Sequence, residues 1–193
     1  MGTTYYFTVC AYVTNVGNGT SYNVNAKTKG LMLYKNGTFY NGAGIITSDY
    51  SGLVWTNNGS YLYNTINTKT SGGVYYIGSS SSIDFASYSK IGINFKFLNY
   101  PNGNSSYNKF YPVMEVKQSS GYYSQATDVV YTDRQSITMN VTYTYTIPYT
   151  IISGKTASGV WRFKPYYFYQ TNSSGGGNIR DAGLVYIYEL WLE

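Results

Sequence analysis

Between Ser136 and Ile147 the chain alternates without a slip, with Ile137, Met139, Val141, Tyr143, Tyr145 and Ile147 set against Ser136, Thr138, Asn140, Thr142, Thr144 and Thr146. A period of two puts the large side chains on one face of an extended strand and the small polar ones on the other. One face then packs on a core while the other meets water or a polar neighbour. At roughly 3.3 Å per residue the run predicts a strand of about 40 Å, long for a globular protein. Such a strand suits a large sandwich, a barrel or a fibre-like assembly.

The same rhythm recurs along the chain. Tyr5, Phe7, Val9, Ala11 and Val13 alternate with Tyr6, Thr8, Cys10, Tyr12 and Thr14, a first strand expected to turn at Gly17-Asn18-Gly19. Asn-Gly pairs at Asn18, Asn36, Asn41, Asn58 and Asn102 supply the positive φ angles of tight hairpins. The clearest hairpin joins Leu31–Lys35 to Thr38–Tyr40 across Asn36-Gly37. Further strands are expected at Gly52–Thr56, Tyr61–Asn64, Val74–Ile77, Ile91–Leu98 and Val113–Lys117. Ser79–Ser82 and Asn172–Asn178 read as flexible surface loops. The Gly175–Gly177 run lacks the Lys-Ser or Lys-Thr and the helical pattern of a phosphate loop. Helix is expected only as short turns around Phe85–Tyr88. In the last strand Leu184, Tyr186, Tyr188, Leu190 and Leu192 fall on one face and Val185, Ile187 and Trp191 on the other. A strand apolar on both faces is buried on both, at the centre of the domain or against a partner.

The 193 residues fit one all-β domain, 1–193, with a single sizeable core. Charged residues make up only 11%, while 26 positions are Tyr. A tyrosine ring packs while its hydroxyl reaches water or a partner, so Tyr suits half-buried sheet faces. The excess of 13 basic over 8 acidic residues is spread thinly, which does not form a nucleic-acid patch. The mixture at Trp161, Arg162, Phe163, Lys164, Tyr166 and Tyr167 is better read as strand alternation, with Trp161 and Phe163 opposite Arg162 and Lys164. There is no His, so charge barely changes between about pH 5 and 8. With few carboxylates to protonate, tolerance of acid is expected, seen as a flat unfolding temperature between about pH 7 and pH 3. Cys10 has no second Cys to pair with in the chain and reads as a small buried hydrophobe. No apolar run reaches the length of a membrane helix. No secretion signal is visible, Met1 being native or standing in place of a removed leader, and Tyr6 breaks the myristoylation pattern.

Catalysis finds little footing. Without His there is no Ser-His or Cys-His pair and no usual zinc site. Of the acids, Asp128 and Asp133 lie across an expected turn, and none pairs with another on one strand face as a glycosidase would need. No enzyme activity, cofactor or metal is expected. The N-x-Ser/Thr sequons at Asn18, Asn36, Asn58, Asn104, Asn140 and Asn172 follow from the abundance of Asn, Ser and Thr.

A chain of many short Tyr-, Thr- and Asn-rich strands, with Asn-Gly hairpins, no His and a closing Gly183-Leu184-Val185-Tyr186-Ile187-Tyr188-Glu189-Leu190, resembles the jelly-roll coat, turret or fibre proteins of virions. Its charge-poor, Tyr- and Asn-rich make-up is similar to surface proteins of archaea from hot acidic springs and of their viruses. The resemblance implies an antiparallel β-sandwich of about eight strands with jelly-roll connectivity. It further implies a non-enzymatic virion component that assembles through Tyr-rich sheet faces and edge strands, partnered by its own copies or other virion proteins and by neither nucleic acid nor membrane. Candidate interface residues are Leu184, Tyr186, Tyr188, Leu190 and Trp191 in the last strand and Tyr5, Phe7 and Val9 in the first. One alternative is an extracellular filament subunit that donates its N-terminal strand to the next copy. Another is a cell-surface carbohydrate-binding sandwich, with Trp55, Trp161, Tyr166 and Tyr167 as a flat platform for a glycan, against which stands core packing of Trp161 and, above all, of Trp191.

Overall fold

The computed structural model describes residues 4–13, 17–27, 30–46, 53–66, 76–98, 109–129, 135–169, 176–178 and 185–193. The described strands are β1 (Thr4–Val13), β2 (Gly17–Lys27), β3 (Leu31–Lys35), β4 (Thr38–Phe39), β5 (Gly44–Ile46), β6 (Leu53–Asn57), β7 (Leu62–Ile66), β8 (Tyr76–Asp84) and β9 (Lys90–Phe97). They continue with β10 (Lys109–Lys117), β11 (Tyr123–Gln125), β12 (Thr127–Val129), β13 (Gln135–Ser136), β14 (Thr142–Ile151), β15 (Ser158–Tyr169), β16 (Gly176–Asn178) and β17 (Val185–Leu192). A 3-10 turn at Phe85–Ser87 is the expected short helical element.

Two antiparallel sheets pack as a sandwich. One is ordered β11-β10-β15-β8-β5, with β13 beside β10 and β16 beside β15; the other is ordered β12-β14-β9-β17-β3-β4, with the β6–β7 hairpin joined to β17. The described strands outnumber the eight expected because short edge strands extend both sheets. Between the sheets lie Ile77, Phe85, Met114, Val116, Trp161 and Phe163 from one side and Leu33, Ile91, Ile93, Phe95, Ile147, Ile187, Leu190 and Leu192 from the other, all fully buried. Burying one such side chain contributes about 1.5–3 kcal/mol, so this layer carries the fold. The segment from Tyr123 to Val129 passes from one sheet to the other, pairing first with β10 and then with β14, and closes one side of the sandwich.

Turn chemistry acts where it was expected at Asn36-Gly37, whose φ angles of 42° and 86° make the tight β3–β4 turn. Four expectations need correction. The long strand from Ser136 is broken: Asn140 turns the chain at φ 63°, its N–H bonds the Phe97 carbonyl at 2.7 Å, and strand β14 begins only at Thr142. The break lets β13 pair with β10 in one sheet while β14 pairs with β9 in the other. The four serines lie inside β8, because Ile77 and Ile83 on either side anchor both ends in the core. Gly176–Asn178 is a short strand against Tyr167–Tyr169, and Gly17–Gly19 belongs to β2 rather than to a turn. The turn expected at Asn102 lies outside the described residues.

Candidate functional site

Strand β17 explains its own double apolarity. Ile187 pairs with Phe95 and Glu189 with Asn94, so Tyr188 is an extra, bulged residue. A bulge inserts one residue and reverses the phase of everything after it. Val185 and Ile187 before it and Leu190 and Leu192 after it therefore all face the core and are buried. Trp191 turns to the opposite side, and its indole lies so close over Gly92 that a Cβ there would sit 1.8 Å from the ring. Leu190 and Trp191 are thus buried by their own chain, which removes them from the candidate interface. Leu184 lies outside the described residues. Tyr186 and Tyr188 are half-buried on the outer face, the side left for a partner or ligand.

That outer face is ordered in rows. Thr142, Lys96, Tyr186 and Tyr63 are in register across β14, β9, β17 and β7, and Thr144, Asn94, Glu189 and Lys35 across β14, β9, β17 and β3. With strands about 4.8 Å apart, a row spans about 14 Å. Tyr61 sits at the centre of the aromatic group, stacked on Tyr186 at 4.3 Å and meeting Tyr63 and Tyr188 edge-on at 6.1 and 5.6 Å. The Lys96 ammonium lies 5.5 Å over the Tyr186 ring. Desolvation, then the hydrogen bond with Tyr61 and the neighbouring phenols, hold the Tyr186 hydroxyl above its ordinary value. Beside the tyrosines a shallow groove of about 380 Å³ is lined by Asn36, Asn94, Thr142, Tyr188 and Glu189. Within it the Asn94 amide donates to Thr144 Oγ1 at 2.6 Å and Glu189 pairs with Lys35 at 3.4 Å.

The expected platform does not form at its tryptophans. Trp55 is 4% exposed and Trp161 fully buried, so neither ring presents a flat face to a glycan. Both are core residues for the reason Trp usually is, its large apolar area. The side chains of Tyr166 and Tyr167 lie outside what is described. Arg162 does face away from Trp161, pairing with Glu115 across β10–β15 and lying 4.4 Å over the Tyr123 ring. The residues that do assemble on the surface, Tyr61, Tyr63, Lys96, Asn94 and Glu189, escaped sequence reasoning because β7, β9 and β17 are distant in the chain. The alternate tyrosines of Tyr61–Tyr63 and Tyr186–Tyr188 were their only signal.

A second candidate surface is the N-terminal ribbon. Strands β1 and β2 pair along nearly their whole length and share no ladder with either sandwich sheet among the described residues. Tyr5, Phe7 and Val9 stand opposite Ala26, Val24 and Tyr22, so register places these six on one face of the ribbon. Thr4, Tyr6 and Thr8, opposite Lys27, Asn25 and Asn23, fall on the other.

Compared with protein-family models, curated protein sequences and solved structures, the chain matches none. No helix among the described residues is long and apolar enough to cross a membrane.

Proposed function

We propose that the chain is a non-enzymatic structural component of a virion, a capsid, turret or fibre subunit, which assembles through its N-terminal ribbon. Jelly-roll connectivity of the sandwich belongs to the same proposal. The observation that carries it is the two-stranded β1–β2 ribbon, about ten residues long and outside both sandwich sheets. A lone hairpin is marginal in water, and among the described residues this one pairs with no third strand, while Tyr5, Phe7 and Val9 stand in register with Ala26, Val24 and Tyr22. A second copy of the chain supplies what such a ribbon lacks, by strand addition at an edge or by pairing of the apolar faces.

Light scattering behind size exclusion on the full, untagged chain tests the reading. A discrete closed oligomer is expected, and open-ended growth would move the proposal to a filament that uses the same ribbon. Phe7→Lys with Val24→Lys, which charges the apolar face at one cross-strand pair, is expected to reduce the oligomer to a monomer while the sandwich melts unchanged. A wild-type monomer of about 22 kDa at assembly concentrations would sink the assembly reading.

A further inference from the structure

We propose that the groove beside the tyrosine group binds an uncharged oligosaccharide, with Tyr61, Tyr186 and Tyr188 giving the stacking surface and Asn36, Asn94 and Glu189 taking the hydroxyls. A sugar ring has an apolar C–H face and a rim of hydroxyls that both donate and accept. Recognising it takes flat aromatic area next to amides and a carboxylate, since amides both donate and accept and a carboxylate accepts twice. The outer sheet face brings these together: three half-buried tyrosines, Tyr63, Tyr186 and Tyr188, around Tyr61, and a groove walled by two amides, a threonine hydroxyl, Tyr188 and a carboxylate. Its volume of about 380 Å³ falls in the range of small-molecule sites, roughly 300–1,000 Å³.

Charge selects within the class. Among the described residues that line the groove the charged one is Glu189, which pairs with Lys35 at 3.4 Å. Lys96 lies over the Tyr186 ring at 5.5 Å, outside the groove lining, whereas an acidic sugar seated in the groove would bring a second negative charge against the Glu189 carboxylate, so the groove itself favours neutral glycans. The strands hold the geometry, because Asn94 with Glu189 and Lys96 with Tyr186 are register pairs of β9 and β17, and Tyr188, the bulged residue between them, lines the groove. The inference is independent of the assembly proposal, which concerns the β1–β2 ribbon.

Saturation-transfer NMR and calorimetry on the full chain test it, with maltotriose, mannotriose and triacetylchitotriose as neutral probes and sialyllactose as the acidic control. At least one neutral probe is expected to bind at about 1 mM, and sialyllactose not to bind. Tyr61→Ala is expected to weaken binding about tenfold or more. Glu189→Gln, which keeps the shape of the side chain, is expected to weaken it with little change in melting temperature, and it covers the case in which the alanine variant fails to fold. No transfer from any neutral probe, or wild-type binding in the folded Glu189→Gln protein together with a folded Tyr61→Ala protein, overturns the proposal. Light scattering on the same samples gives the oligomeric state separately, so the two readings stand or fall apart.

Discussion

Tyrosine in this chain fastens loops as well as covering sheets. Tyr149 is buried in the core, and its hydroxyl donates to the Phe85 carbonyl at 2.7 Å, holding the 3-10 turn to β14. The Tyr145 hydroxyl donates to the Ser136 carbonyl at 3.1 Å, and the Tyr143 hydroxyl accepts the Thr138 N–H at 2.9 Å, so both tie down the crossover between β13 and β14. Tyr34 does the same for a hairpin, accepting from the Gly37 N–H at 2.9 Å while its ring is fully buried. Tyr149→Phe keeps the ring and removes one of the two hydrogen bonds that the Phe85 carbonyl accepts, the other coming from the Tyr88 N–H at 3.2 Å, an expected loss of about 0.5–1.5 kcal/mol in urea denaturation. A change within error would mean that water replaces the hydroxyl. The abundance of Tyr was plain from composition, but which hydroxyls carry loops was not, because each partner lies far along the chain or across a turn that only folding closes.

At the scale of elements, strand type was legible and strand phase was not. Alternation at β9 and β14 and the Asn36-Gly37 turn come from local preferences that the fold obeys. The β17 bulge, the break at Asn140 and the strand through the serines are tertiary outcomes, since each is chosen by what the segment pairs with. Gly92 shows the coupling most directly, for it is glycine so that Trp191 on the neighbouring strand has somewhere to lie. Gly92→Ala is expected to cost about 1–3 kcal/mol through overpacking. Adding Trp191→Leu should recover part of that loss, which a double-mutant cycle measures as a coupling energy; additive losses would show that the two residues do not meet.

For the whole molecule the balance of titrating groups sets a broad plateau of stability. The hydroxyls of Ser158 and Ser87 and the Ala86 N–H hold the Asp84 carboxyl below its ordinary value of 3.8. The folded chain there binds fewer protons than the unfolded one, so this contribution is present above about pH 4 and fades as pH falls further. Burial, then the neighbouring Tyr143, pushes Tyr145 from 10.0 up to about 12, and burial raises Tyr149 as well. These hydroxyls stay protonated in the fold where unfolded tyrosines ionise, so their contribution is full below about pH 10 and is lost as pH rises above it, that of Tyr145 by about pH 12. With no His, the melting temperature is expected to hold from about pH 4 to pH 9, to lose the Asp84 contribution below that, a small departure from the flat course to about pH 3 expected from the carboxylate count, and to fall steeply above about pH 10. A step near neutral pH in a calorimetric series would contradict this. The residues by themselves determined the all-β sandwich and the Asn36-Gly37 hairpin, because strand period and turn preference are local properties. Tertiary structure alone decided that Leu190, Trp191, Trp55 and Trp161 are interior, and that Tyr61, Tyr186, Asn94 and Glu189 share one outer face. The reason is that burial and neighbourhood depend on pairing between distant strands, and one bulged residue is enough to reverse which side of a strand meets water.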